Sequence, residues 1–270
     1  MRFITKHIHG DRAIWAIVAL LSVFSFLPVY SASSNLVYVL EIGSVTGHLI
    51  KHVAIVLIGI SIMYATHRIP FKYFSGLSVI ALPIVWVLLV YTALQGNMID
   101  GANASRWIKI PILGLSFQTS TLASVVLMVY VARYLSINKD KDIHFLRSLL
   151  VLWLPVLLVI ATILPANLST AALLVALVFV LAFIGGYPKK YLLLMLGTAA
   201  VFLTLFIMTA KAYPDAFPNR VDTWMSRIES FKGDGDANTN YQVQRAKMAI
   251  ATGGVLGKGA GKSVMKNLLP

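Results

Sequence analysis

The residues with the most chemistry in this sequence gather around position 106. Gly101-Ala-Asn-Ala-Ser-Arg106-Trp107-Ile-Lys109 sets two cations and an amphipathic aromatic close to Asp100. The guanidinium of Arg106 is a planar fork suited to phosphate, Lys109 adds a point charge, and Trp107 favours the boundary between lipid and water. Two readings stand side by side: a strip that holds an anionic headgroup, or an Arg–carboxylate pair with an interfacial tryptophan. Gln118, Thr119 and Ser120 follow, polar groups able to hydrogen-bond neighbouring helices.

Three other patterns carry less. Gly254-Val-Leu-Gly257-Lys-Gly259-Ala-Gly261-Lys262-Ser263 approaches a phosphate-binding loop. That loop needs a glycine where Leu256 stands, and no strand precedes it, so a nucleotide triphosphatase is rejected. A flexible turn is one reading; the other is an anion site in which glycine N–H groups, Lys258 and Lys262 meet a lipid pyrophosphate. His48 and His52 have the i, i+4 spacing of a metal pair, but no third ligand is near in sequence, and they read as interfacial histidines. Asp234-Gly-Asp236 is too incomplete for a calcium loop. There are no cysteines, which excludes thiolate nucleophiles and Cys-ligated zinc or iron–sulfur sites.

Composition dictates the elements that must hold these residues. Of 270 residues 58% are hydrophobic and 12% charged, against roughly 45–50% and about 25% in a soluble domain. Mean hydropathy is +0.80. These values exclude a soluble globular protein and a disordered one, and long apolar blocks exclude a transmembrane barrel. The expected fold is all-α, a polytopic transmembrane helical bundle. Seven spans are predicted, at 13–30, 49–66, 74–95, 115–135, 148–164, 168–184 and 190–210. Their interiors lack Asp, Glu, Lys and Arg; Lys51, Arg133 and Lys190 sit at span ends, where long side chains reach the interface. Val29-Tyr-Ser-Ala32 imitates a signal-peptide cleavage site, but six spans follow and the apolar stretch is long, so the first span is expected to stay. Pro165-Ala-Asn167 and Gly185-Gly-Tyr-Pro188 predict tight antiparallel hairpins.

Net charge is +13. With the N-terminus in the cytoplasm, the inner loops hold 11 cations and the short outer loops 3, namely Lys51, Arg106 and Lys109. That bias sets the orientation and puts residues 211–270 outside as a large loop segment, after a 1–210 membrane domain. No single basic face emerges, so nucleic acid is not an expected partner. The external carboxylates are Glu41, Asp100, Asp215, Asp222, Glu229, Asp234 and Asp236, most of them in hydrophilic sequence.

Several motifs together resemble the FtsW/RodA (SEDS) family, and its FtsW division branch more than RodA. Gly101 to Ile108 with Gly114-Leu-Ser-Phe-Gln118 looks like the family's Arg-Trp-Ile…Gln-Pro-Ser-Glu signature. Arg227-Ile-Glu-Ser-Phe, Tyr241-Gln242, Gly253-Gly254, Gly257-Lys-Gly259-Ala-Gly261-Lys-Ser263 and Leu268-Leu269-Pro270 follow in the family's order. Three departures stand out. Pro-Ser-Glu is here Thr119-Ser120-Thr121, a nearby Lys is Ser124, and the Pro-Asp-Leu-Gly-Thr turn is Ala166-Asn167-Leu168-Ser169-Thr170, so two acids are lost.

The resemblance implies ten spans with both termini cytoplasmic, in the bacterial inner membrane, and a chain cut inside its large extracytoplasmic loop. It implies a peptidoglycan glycosyltransferase that polymerises lipid II, a lipid-linked disaccharide-peptide, during septal wall synthesis. The alternatives are a lipid II flippase, or a division scaffold if the chain ends at 270. It implies membrane lipids, a class B penicillin-binding transpeptidase and other division proteins as partners. No cofactor is implied; a divalent cation is compatible, with no site identified. The catalytic Asp is expected beyond Pro270, so none of the present residues is assigned as catalytic. Arg106, Lys109, Trp107 and Gln118 are the substrate-binding candidates, with Gln242 and Lys262 as further ones.

Overall fold

The structure, a computed structural model, describes residues 11–38, 43–95, 98–99, 102–103, 107–110, 115–212, 237–254 and 257–259. Helices lie on all seven expected spans. They are α1 (Arg12–Phe24) with α2 (Phe26–Tyr38), α3 (Val45–Arg68), α4 (Phe71–Gln95), α5 (Thr119–Ile137), α6 (Phe145–Ser148) running through a π-helical turn (Leu149–Trp153) into α7 (Leu154–Ile163), α8 (Leu168–Ile184) and α9 (Lys189–Ala212). A further helix, α10, spans Ala237–Gly253. Arg12–Ser34, Val45–Arg68, Phe71–Gln95, Thr119–Ile137 and Phe145–Ile163 are each long and apolar enough to cross a bilayer. The apolar α8 has 17 residues, and spans begin at about that length. The 24 residues of α9 reach roughly 36 Å at the helical rise. The fold is the all-α, polytopic membrane bundle that composition demands.

Four short strands are added: β1 (Met98–Ile99) pairs antiparallel with β2 (Ala102–Asn103), and β3 (Trp107–Ile110) with β4 (Leu115–Gln118). The expected fourth span began at 115; residues 115–118 are instead strand, and the helix starts at Thr119. Hydropathy could not separate them, because Leu115 and Phe117 are as apolar as the helix that follows.

The chain divides into two compact units, Met1–Pro70 with Met225–Pro270, and Phe71–Trp224. In the first, α1 and α2 interrupt at Ser25, three residues before Pro28, whose ring cannot donate to the preceding turn. Ser25 Oγ lies 2.8 Å from His52 Nε2 on α3, and Phe26 meets the same imidazole edge-on at 4.9 Å. His52 is therefore engaged by the helix break. Asp11 caps α1 by accepting from the Ala13 N–H at 2.7 Å, and Ser44 caps α3 by accepting from Gly47 at 3.1 Å. Pro70 stops α3 one residue after Ile69.

The second unit contains the described core. Ala123, Leu127, Val131 and Leu135 recur every fourth residue along α5 and are buried against Leu82, Val85 and Leu89 of α4 and Ala171, Leu174, Val178 and Ala182 of α8. The opposite faces stay apolar, as suits a helix in lipid. Pro155 has no N–H to offer the carbonyl one turn back, that of Val151; Tyr130 Oη from α5 donates to it at 2.5 Å.

The α8–α9 turn is fixed by its glycines. Gly186 has φ 78°, Tyr187 N donates to Ala182 O at 3.0 Å and Gly186 N to Phe183 O at 3.3 Å, the two bonds of a Schellman ending. At Gly185 a Cβ would sit 2.6 Å from Leu135 Cδ1, 3.0 Å from Leu181 O and 3.1 Å from Leu135 Cβ. Gly185→Ala is expected to destabilise the unit by about 1–3 kcal/mol, read as a lower thermal midpoint in detergent. An unchanged midpoint would mean that α5 and α8 do not approach this closely.

Candidate functional site

One end of the second unit collects polar side chains. The last turn of α4, the first of α5 and the α7–α8 turn meet there, and Leu89, Thr92, Ala93, Ser120, Thr162, Ile163, Ala166 and Asn167 line a small recess. Thr92 Oγ1 lies 3.1 Å from Thr119 Oγ1, which ties α4 to α5. Thr92 also donates along its own helix, towards Leu89 O at 2.9 Å. Asn167 caps α8, accepting from Thr170 N at 3.3 Å, and its amide donates to Thr170 Oγ1 at 2.5 Å. Ser124 Oγ donates to Ser120 O at 2.8 Å.

The β3–β4 hairpin feeds directly into this end. Its register pairs Trp107 with Gln118, Ile108 with Phe117, Lys109 with Ser116 and Ile110 with Leu115. Strand alternation then puts positions 107, 109, 116 and 118 on one face and the apolar 108, 110, 115 and 117 on the other. Three of the candidates, Trp107, Lys109 and Gln118, thus share a face that sequence distance alone did not reveal. Trp107 and Gln118 are both half-buried. Gln118 precedes the first residue of α5 without capping it, and its Oε1 accepts from Thr121 Oγ1 at 3.3 Å.

Gln242 is a backbone position on α10, in the other unit. Arg106 and Lys262 lie outside the described residues, as do Asp100 and the carboxylates from Asp215 to Asp236. In the glycine-rich segment Gly254, Gly257 and Gly259 have φ of 62°, 71° and 92°, left-handed backbone that explains why glycine recurs there; Lys258 is exposed. Among the described residues no three or more of His, Cys, Asp and Glu gather as a metal site.

Residue types alone missed Thr92, Thr162 and the structural part played by Asn167. The available signal was the set of departures from the family motifs. Thr119, Thr121, Ser124 and Asn167 stand where acid, base or proline was expected, and all four are hydrogen-bonded at this one end. Neutral hydroxyls and an amide here replace charge.

Comparison with known proteins agrees with this architecture. Residues 11–270 match the model of the FtsW/RodA/SpoVE family, described as cell cycle protein. A probable peptidoglycan glycosyltransferase FtsW of Taylorella equigenitalis is 26% identical over 221 residues, 80% of this chain and 56% of that protein. Its counterpart in Geobacter sulfurreducens is 28% identical over 257 residues, 95% of this chain and 66% of that protein. The chain therefore spans 56–66% of these relatives' length. A solved structure concerning the structural coordination of polymerization and crosslinking by a peptidoglycan synthase complex superposes with a TM-score of 0.62 at 22% identity, over 92% of this chain and 67% of that one. At that identity the likeness speaks for the fold.

Proposed function

The chain belongs to the FtsW/RodA/SpoVE family of cell cycle proteins, and from that premise we propose that it is the substrate-holding part of a peptidoglycan glycosyltransferase. The substrate is a lipid-linked disaccharide-peptide at the outer leaflet, and the reaction extends a glycan strand during division. The observation that carries this reading is the hairpin face: Trp107 opposite Gln118, with Lys109 on the same side, leading into the polar end of the bundle.

In this reaction the acceptor sugar's 4-hydroxyl attacks C1 of the donor sugar. The C1–O bond to the lipid pyrophosphate breaks and the pyrophosphate leaves with the electron pair. A base must take the hydroxyl proton, and cations must hold the leaving group. None of the residues named here is assigned as that base. Arg106 and Lys109 are assigned the pyrophosphate, Trp107 the lipid–water boundary and Gln118 the headgroup, with Gln242 and Lys262 as weaker contacts.

The charge bias of the short loops supports a cytoplasmic N-terminus in the bacterial inner membrane, which puts the hairpin and the recess outside. Since the structurally similar protein belongs to a synthase complex, a class B penicillin-binding transpeptidase is the partner we assign, alongside other division proteins.

The test is reconstitution of the full-length protein in vesicles with lipid II. Ladders of polymerised glycan and released lipid pyrophosphate are expected. Headgroup translocation without polymer would overturn the glycosyltransferase reading in favour of a carrier.

A further inference from the structure

We propose that the recess beside Ser120 is a subsite for a single neutral hydroxyl on the sugar headgroup, an inference that rests on the glycosyltransferase reading. Ser120 Oγ is the observation that points to a ligand. Ser120 is 1% exposed and lines the recess, and among the described residues its hydroxyl has no hydrogen-bond partner. A buried hydroxyl left unmade is costly, and more so in a membrane protein, where lipid offers nothing in exchange.

Three features define what would complete it. The free volume is about 10 Å³, room for one oxygen-sized group. Among the described residues no charged side chain lines the recess, so a phosphate would enter without a counter-charge from them. The hydroxyls around it have already spent their protons: Thr162 Oγ1 donates to Leu158 O at 2.8 Å, and Thr92 Oγ1 towards Leu89 O at 2.9 Å. They offer lone pairs only, whereas Ser120 has a proton to give. A group that both accepts and donates fits this set. A sugar hydroxyl does so; a carbonyl, which only accepts, does not.

A resident water has the same hydrogen-bonding chemistry, so the experiment must separate the two. Full-length protein in vesicles is assayed with lipid II as the varied substrate, comparing wild type, Ser120→Ala, Thr162→Val and Thr198→Ala. Thr198 lies on α9, where its hydroxyl donates to Leu194 O, and serves as the control for losing a hydroxyl within a span. Both recess variants are expected to raise KM about 3- to 10-fold, the size of one neutral hydrogen bond, with kcat held. An unchanged KM with a raised midpoint would mean that the Ser120 hydroxyl is merely unsatisfied. An unchanged KM with a lowered midpoint would mean that the recess holds water only. Either overturns the proposal. Should Ser120→Ala fail to fold, the isosteric Thr162→Val carries the same test. Wild-type protein that makes no glycan would instead sink the enzyme reading, and the subsite is then judged by direct titration of lipid II onto wild type against Ser120→Ala.

Discussion

Trp153→Ala is expected to destabilise the second unit by roughly 3 kcal/mol, the largest effect of any single change in the described core. Trp153 is 2% exposed at the end of the π-helical turn. Its ring lies 5.1 Å from Phe179 and 6.0 Å, edge-on, from Tyr187. Its Nε1–H donates to Tyr187 Oη at 3.2 Å, and that same hydroxyl lies 2.6 Å from Ser148 Oγ. One substitution therefore opens a cavity between α7 and α8 and removes a donor from a buried polar trio. In lipid the transfer of apolar surface from water contributes little between inserted helices, so packing and hydrogen bonding carry the loss. That places the value at the lower end of tryptophan truncations. Trp153→Phe keeps most of the ring and loses the N–H, and about 1 kcal/mol is expected. Reversible unfolding in mixed detergent micelles measures both. A loss below about 1 kcal/mol for alanine would mean that Trp153 faces lipid.

Arg106→Ala in the full-length protein is expected to cut glycan polymerisation roughly 10- to 100-fold, the worth of a charge-assisted contact to phosphate. Membrane insertion should not change, because Arg106 falls in the sequence between the expected spans 74–95 and 115–135. Arg106 immediately precedes Trp107, the first residue of β3, whose partner across the hairpin is Gln118. Among the described residues the recess lining carries no charge, so on the proposed reading the cations for a departing pyrophosphate are assigned to the hairpin segment. Arg106→Lys should recover only part of the activity, since an ammonium cannot reproduce the bidentate fork. Polymerisation at the wild-type rate in Arg106→Ala would remove this residue from substrate binding.

The candidate site was legible in part. Trp107, Lys109 and Gln118 were recognisable as polar or amphipathic groups among apolar sequence, but their common face was not. A hairpin register is set by cross-strand pairing, and residues 115–118 read as the start of a helix because apolar runs carry no period of their own. The departures from the family's motifs were visible as lost charges. Their compensation was not: Asn167 became the cap of its own helix, and Thr119 a partner for Thr92, 27 residues away in the chain. His48 and His52 suggested a pair by spacing, yet His52 meets Ser25 at the break between α1 and α2.

Composition alone made this a helical membrane protein. A chain with 58% hydrophobic and 12% charged residues satisfies its backbone in lipid by forming helices, and that constraint acts locally. The family was likewise written in short ordered motifs. What required the packed bundle was which small polar groups meet. Each helix of the second unit is apolar nearly all round, so its own sequence does not say which face turns inward. That choice falls to close fit, as where Gly185 admits Leu135, and to the few hydroxyls that must find partners away from lipid. Thr92, Thr119, Ser120 and Asn167 become one site only when α4, α5, α7 and α8 have closed around it.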